Sequence, residues 1–121
     1  MSKHGEFSHI ELPADDLERA RAFYGAVFGW QFRSMAEMEQ YYLYDAGPGG
    51  LGGGIGKRGE NAPDAVRNYI TVDSIEDSLA ATAANGGTVV VPKTDIGFGW
   101  YAAITDTEGN ELGLYKSKSE G

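Results

Sequence analysis

The chain has 121 residues, 41% of them hydrophobic, enough to bury one core but not two, so a single domain over 1–121 is expected. Net charge is −8 and the ten Lys and Arg are dispersed, which leaves no electrostatic footprint for nucleic acid. No apolar run reaches the about 18 residues of a membrane helix, MSKHGEFS lacks a signal-peptide core, and cysteine is absent, so the expectations are cytoplasmic location, no membrane partner and no thiolate chemistry.

In chain order, Phe7 to Leu12 alternates as a half-buried strand does, Pro13 stops it, and Asp15-Asp16 caps a helix. The helix carries apolar residues at Leu17, Ala20, Phe23, Tyr24, Val27 and Phe28 and ends at Gly29. Trp30 to Arg33 and Gln40 to Asp45 read as strands, and GPGGLGGGIGK as a turn into a glycine-rich strand over Gly52 to Lys57. RGENAPDA reads as an exposed linker. Then the order repeats: a strand from Arg67 to Val72, a helix from Ile75 to Asn85 closed by Gly86-Gly87, and strands at Thr88 to Pro92, Trp100 to Thr105 and Glu111 to Lys116. SKSEG reads as a frayed tail.

The two halves are copies of one plan, because FSHIELPADDLERARAFYGAVFGW is echoed about 58 residues later by VRNYITVDSIEDSLAATAANGGT. Two βαβββ modules, about 6–58 and 66–117, are too few for a solenoid and imply an α+β domain with a cleft shared between halves. Strand alternation sends Ile10, Leu12, Ile70, Val72, Leu112 and Leu114 toward the helices. The opposite face then carries His9, Glu11, Gly54, Gly56, Arg67, Tyr69, Thr71, Glu111, Gly113 and Tyr115, a polar set unusual for a core.

HIELPADDLERARAFYGAVFGW, YITVDSIEDSLAATAANGG and ITDTEGNELGLYK together resemble the vicinal oxygen chelate superfamily, which contains glyoxalase I, bleomycin-resistance proteins and extradiol dioxygenases. The resemblance spans the whole chain and implies a cupped mixed sheet around a cleft. It leaves the reaction open, since one fold hosts many functions. In metal-using relatives each half supplies one ligand from its first strand and one from its last. His9 matches the first ligand position, whereas Arg67, Gly54 and Gly113 stand at the other three. A guanidinium stays protonated and cannot coordinate a cation. Glu111 lies two residues from Gly113, about 6.6 Å along a strand, and reaches the ligand position only through a register shift. The expectation is therefore no cofactor, with a divalent metal the disfavoured alternative.

Three functions remain open on this reading. The first is a small-molecule binder using His9, Glu11, Arg67, Tyr69, Trp100 and Tyr115, with Arg67 taking a ligand carboxylate and aromatic walls taking an apolar body. The second is a lyase, isomerase or dioxygenase-related enzyme with His9 and Glu111 as acid–base groups, with or without a divalent metal. The third is an interaction domain without a ligand. His9 also admits a packing role against Glu11, Glu111 or Arg67, and Arg67 an internal ion pair with either glutamate. Phe98-Gly99-Trp100 reads as a flap after the Gly97 turn. The glycine run 47–56 lacks the Lys-Ser/Thr and the following helix of a nucleotide loop. The resemblance further implies a homodimer.

Overall fold

A computed structural model describes residues 3–35, 38–47, 50–60, 62 and 64–118. Its elements run β1 (Phe7–Ala14), α1 (Leu17–Phe28), β2 (Gln31–Met35), β3 (Met38–Asp45), β4 (Gly53–Lys57), β5 (Arg67–Thr71), α2 (Ile75–Ala84), β6 (Thr88–Asp95), β7 (Gly99–Thr105) and β8 (Glu111–Ser117). This is βαβββ twice, in the α+β class. Two compact units hold them: Ser8–Arg67, and Met1–Phe7 with Asn68–Gly121. Strand order is β2-β3-β4-β1 in the first and β5-β8-β7-β6 in the second. In each, one parallel pair (β1 with β4, β5 with β8) joins a run of antiparallel pairs.

The helices start and stop where their caps dictate. Asp16 accepts a hydrogen bond from the Arg19 N–H at 3.0 Å, and Gly29 closes α1 at φ 73°, a left-handed backbone that glycine adopts without a Cβ penalty. Ser74 caps α2 through the Asp77 N–H at 3.1 Å. Gly86, at φ 91°, and Gly87, whose N–H reaches the Thr82 carbonyl, finish it.

Each helix covers one face of its own sheet. In the first unit Ala14, Leu17, Tyr44 and Ile55 form the buried cluster, with Leu12, Ala20, Tyr24, Trp30 and Phe32 against it. Tyr24, Trp30 and Tyr44 stack in sequence, Trp30 lying 5.0 Å from Tyr24 and 4.4 Å from Tyr44 between ring centroids. That stack ties α1 to β3 with large apolar area and favourable ring geometry. In the second unit Val72, Ile75, Ala102 and Leu114 form the cluster, joined by Ile70, Leu79, Trp100 and Ile104. Of the six residues that alternation sends toward the helices, Leu12, Ile70, Val72 and Leu114 belong to these clusters, and Ile10 and Leu112 do not.

Some expectations change. Pro13 does not stop β1; it pairs with Gly56 and the strand continues to Ala14. β6 likewise runs past Pro92 to Asp95, its register slipping between Val89 and Thr94, which a strand at the end of its sheet order tolerates because proline's missing donor faces no partner there. The apolar stripe of α1 is wider than the sheet it covers, so Phe23, Val27 and Phe28 stay more than half exposed. Ser117 and Lys118 are not frayed: Ser117 pairs with Gly99, and Lys118 Nζ meets Asp95 at 2.9 Å. The turn at Pro48-Gly49, the linker positions Asn61 and Pro63, and 119–121 of the tail lie outside the described residues.

Two predictions follow from this packing. A Cβ at Gly53 would land inside the backbone of Ile10, whose N is 2.7 Å away. Backbone cannot swing aside as a side chain can, so Gly53→Ala is expected to cost about 2–3 kcal/mol or more in urea unfolding. The Tyr44 phenol, which donates to the Ile10 carbonyl at 2.9 Å, is pushed up to about 12, chiefly by burial and secondarily by Tyr24 and Glu11 nearby. An unfolded tyrosine ionises near 10, so the folded state keeps this stabilising contribution below pH 10 and loses it as pH rises toward 12. Unfolding midpoints measured from pH 9 to 12 should fall, and Tyr44→Phe should flatten that decline.

Candidate functional site

The face of the first unit turned away from α1 carries His9 and Glu11 of β1, Gly54 and Gly56 of β4, and Tyr41 of β3. Register explains the grouping: Glu11 pairs with Gly54 across the parallel β1/β4 ladder, and Tyr41 pairs with Gly56 across β3/β4. Tyr41 therefore leans diagonally over Gly54. A Cβ on Gly54 would coincide with the Tyr41 hydroxyl and ring. The phenol occupies the volume a side chain at position 54 would need.

Three polar groups converge there. Tyr41 Oη donates to Glu11 Oε2, and His9 Nε2 lies 3.1 Å from both Glu11 Oε2 and Tyr41 Oη. Glu11 is buried, its side chain about a tenth exposed, and the His9 ring is 29% exposed. A carboxylate withdrawn from water needs donors; Tyr41 supplies one on Oε2, and the His9 tautomer that carries its proton on Nε2 supplies a second on the same oxygen. Gln40, immediately before Tyr41, takes φ 55°, uncommon for a residue with a Cβ. It follows the register slip between Ser34 and Met35 in the β2/β3 ladder.

The second unit repeats the positions with different chemistry. Tyr69 pairs with Gly113 across β5/β8 as Glu11 pairs with Gly54. The Tyr69 ring fills the Cβ volume of Gly113 and lies 6.4 Å from the Tyr101 ring, the counterpart of Tyr41. Arg67, two residues before Tyr69 and the last residue of the first unit, stands where His9 stands before Glu11 and is half-buried. Tyr115 contacts Phe98 at 6.3 Å. Glu111 is exposed at the first residue of β8, so no register shift carries it inward.

Trp100 is a correction. It lies in β7 rather than a flap, packs with the helix-side cluster, and has Lys93 and Lys118 ammonium groups 4.8 and 5.2 Å from its ring centroid. Tyr101, its neighbour, faces the other way, toward Tyr69. Tyr41 is the residue that sequence reasoning did not single out. Period-2 alternation splits QYYLYD into Tyr41 with Leu43 and Tyr42 with Tyr44, but only the ladder with β4 tells which pair faces the helix.

Elsewhere in the first unit a cavity of about 610 Å³ is lined by Asp15, Asp16, Glu18, Met35, Met38 and neighbours. Its carboxylates are engaged: Asp16 caps α1, Asp15 binds Arg58 at 2.8 Å, and Glu18 accepts from Arg21 and Tyr42. Those hydrogen bonds from Tyr42 and Arg21 hold the Glu18 carboxyl below its ordinary range.

Against known proteins, the chain is 33% identical over 119 residues to a glyoxylase-like domain-containing protein of Didymella fabae, covering 91% of this chain and 92% of that one. The chain belongs to the glyoxylase-like family, within the glyoxalase/bleomycin-resistance/dioxygenase superfamily. A family profile described as bleomycin resistance protein-like N-terminal matches residues 6–42 of this superfamily member. It is also 33% identical over 119 residues to the candidate glyoxylase CFP32 of Mycobacterium tuberculosis, spanning 96% of this chain but 46% of that protein, about half its length. Its fold matches that of a glyoxalase/bleomycin resistance protein/dioxygenase superfamily member from Vibrio splendidus, with a TM-score of 0.64 at 15% identity over 91% and 98% of the two chains.

The contact between positions 41 and 54 is testable by a double-mutant cycle. Gly54→Ala alone is expected to cost about 1–3 kcal/mol by displacing the ring. In a Tyr41→Ala background the same change should cost less by at least about 1 kcal/mol, read from chemical unfolding of the four proteins.

Proposed function

We propose that this superfamily member binds a small, partly apolar, carboxylate-bearing molecule and works without a resident metal. The observation that carries the reading is the Tyr41 phenol standing over Gly54, hydrogen-bonded to Glu11 and beside His9. The superfamily implies a divalent cation, and the residues here do not fit one. Of the four ligand positions carried over from the resemblance, His9 alone has a suitable donor, Gly54 and Gly113 are covered by tyrosine rings, and Arg67 brings a fixed positive charge. Among the described residues no group of three or more His, Asp or Glu is arranged to hold an ion. Oxygen and imidazole sites draw their affinity from ligand number and geometry, and neither is supplied.

Arg67 serves the ligand's carboxylate, because a guanidinium presents two parallel N–H donors that match its two oxygens. A second reading, a lyase or isomerase, draws on the same His9, Glu11 and Tyr41 hydrogen bonds, with Glu11 rather than the exposed Glu111 beside the imidazole. Two copies pairing as a homodimer fits either reading.

Protein purified without chelators is expected to carry far less than one equivalent of Mn, Ni, Zn or Fe by elemental analysis. One equivalent, lost in His9→Ala, overturns the metal-free reading. Small aryl carboxylates should raise the unfolding midpoint with concentration, and Arg67→Ala should remove that rise. An Arg67→Ala protein that keeps the full rise eliminates Arg67 as the carboxylate anchor.

A further inference from the structure

The Glu11 carboxylate has one oxygen committed and one uncommitted. Both of its side-chain contacts, Tyr41 Oη and His9 Nε2, fall on Oε2. Among the described residues Oε1 has no hydrogen-bond partner, yet it is not sealed, since it is not one of the buried side-chain atoms left without a partner. An ionised carboxylate has about four lone-pair positions, and those on Oε1 are what this cluster can offer a guest. The contacts of Tyr41 and His9 with Oε2 hold the carboxylate in one orientation, so little freedom is lost when Oε1 is engaged. Tyr41 itself is wedged over Gly54 and cannot swing inward without colliding with β4.

We propose that Glu11 Oε1 receives a protonated amine, so that the ligand carries an ammonium group as well as the carboxylate assigned to Arg67. An acceptor requires a donor, and a charged donor is favoured over a neutral hydroxyl on two grounds. Hydrogen bonds between ionised partners are roughly twice as strong as neutral ones, and a chain of net charge −8 attracts cations over anions. This rests on the small-molecule reading above for the site, but not on Arg67: the amine half stands if the carboxylate half fails.

The test uses three matched probes, phenethylamine, phenethyl alcohol and 3-phenylpropanoate, titrated by calorimetry into the unaltered 121-residue chain and into Glu11→Gln and Tyr41→Phe. Phenethylamine is expected to bind at least about tenfold more tightly than phenethyl alcohol, the factor that 1.4 kcal/mol represents. Glu11→Gln, which keeps the shape and removes the charge, should abolish that preference. Tyr41→Phe should weaken amine binding while leaving the amine-over-alcohol preference in place. Equal affinity for the amine and the alcohol in the unaltered protein overturns the inference without any variant. So does full amine affinity in Glu11→Gln, where 3-phenylpropanoate binding shows the variant to be folded. Binding of 3-phenylpropanoate with none of the amine overturns the inference and leaves the carboxylate reading standing. Binding of no probe overturns both.

Discussion

Two bare Cα atoms, at Gly54 and Gly113, allow a tyrosine ring to occupy the volume beside each strand where a side chain would otherwise project. The consequence at Gly54 is polar. Tyr41 brings its hydroxyl onto Glu11 and His9, and the three groups become a single unit whose orientation is set by backbone contact rather than by flexible reach. A side chain at position 54 would both remove the ring's seat and leave Glu11 short of a donor, and a buried carboxylate without donors is expensive.

The duplicated plan makes the asymmetry of the two units instructive. Positions 54 and 113 are both glycine and 41 and 101 both tyrosine, but the ring over Gly54 is Tyr41 of β3 and the ring over Gly113 is Tyr69 of β5. Positions 9 and 67 are His and Arg, and 11 and 69 are Glu and Tyr. In the first unit the tyrosine finds a carboxylate, and in the second it finds another aromatic ring. One scaffold thus sets a carboxylate against the tyrosine in one copy and an aromatic ring in the other. Glycine at both positions leaves room, and what enters that room decides the chemistry.

The helix side is built from a different principle. Tyr24, Trp30 and Tyr44 stack between α1 and β3 and bury area with ring geometry that adds to it. The same helix leaves Phe23, Val27 and Phe28 more than half exposed. Helical spacing identified these residues as apolar but not how wide a strip the sheet could cover, which depends on how far β3 and β4 extend beneath the helix.

Period-2 and period-3.6 patterns, caps and the internal repeat together determined the element order, the α+β class and which face of β1, β5 and β8 meets the helices, because these are local properties written in neighbouring residues. They also placed His9, Glu11, Arg67, Gly54 and Gly113 at equivalent strand positions. What only the tertiary structure decided was which strand lies beside which and in what register. Tyr41 is 30 residues from Glu11, and no local pattern says that it crosses Gly54. Trp100 shows the same limit in reverse: one step of register along β7 turned it to the helix side and gave its expected place to Tyr101. Register between strands distant in sequence is set by the sum of all ladder and packing contacts, so it is absent from any single segment.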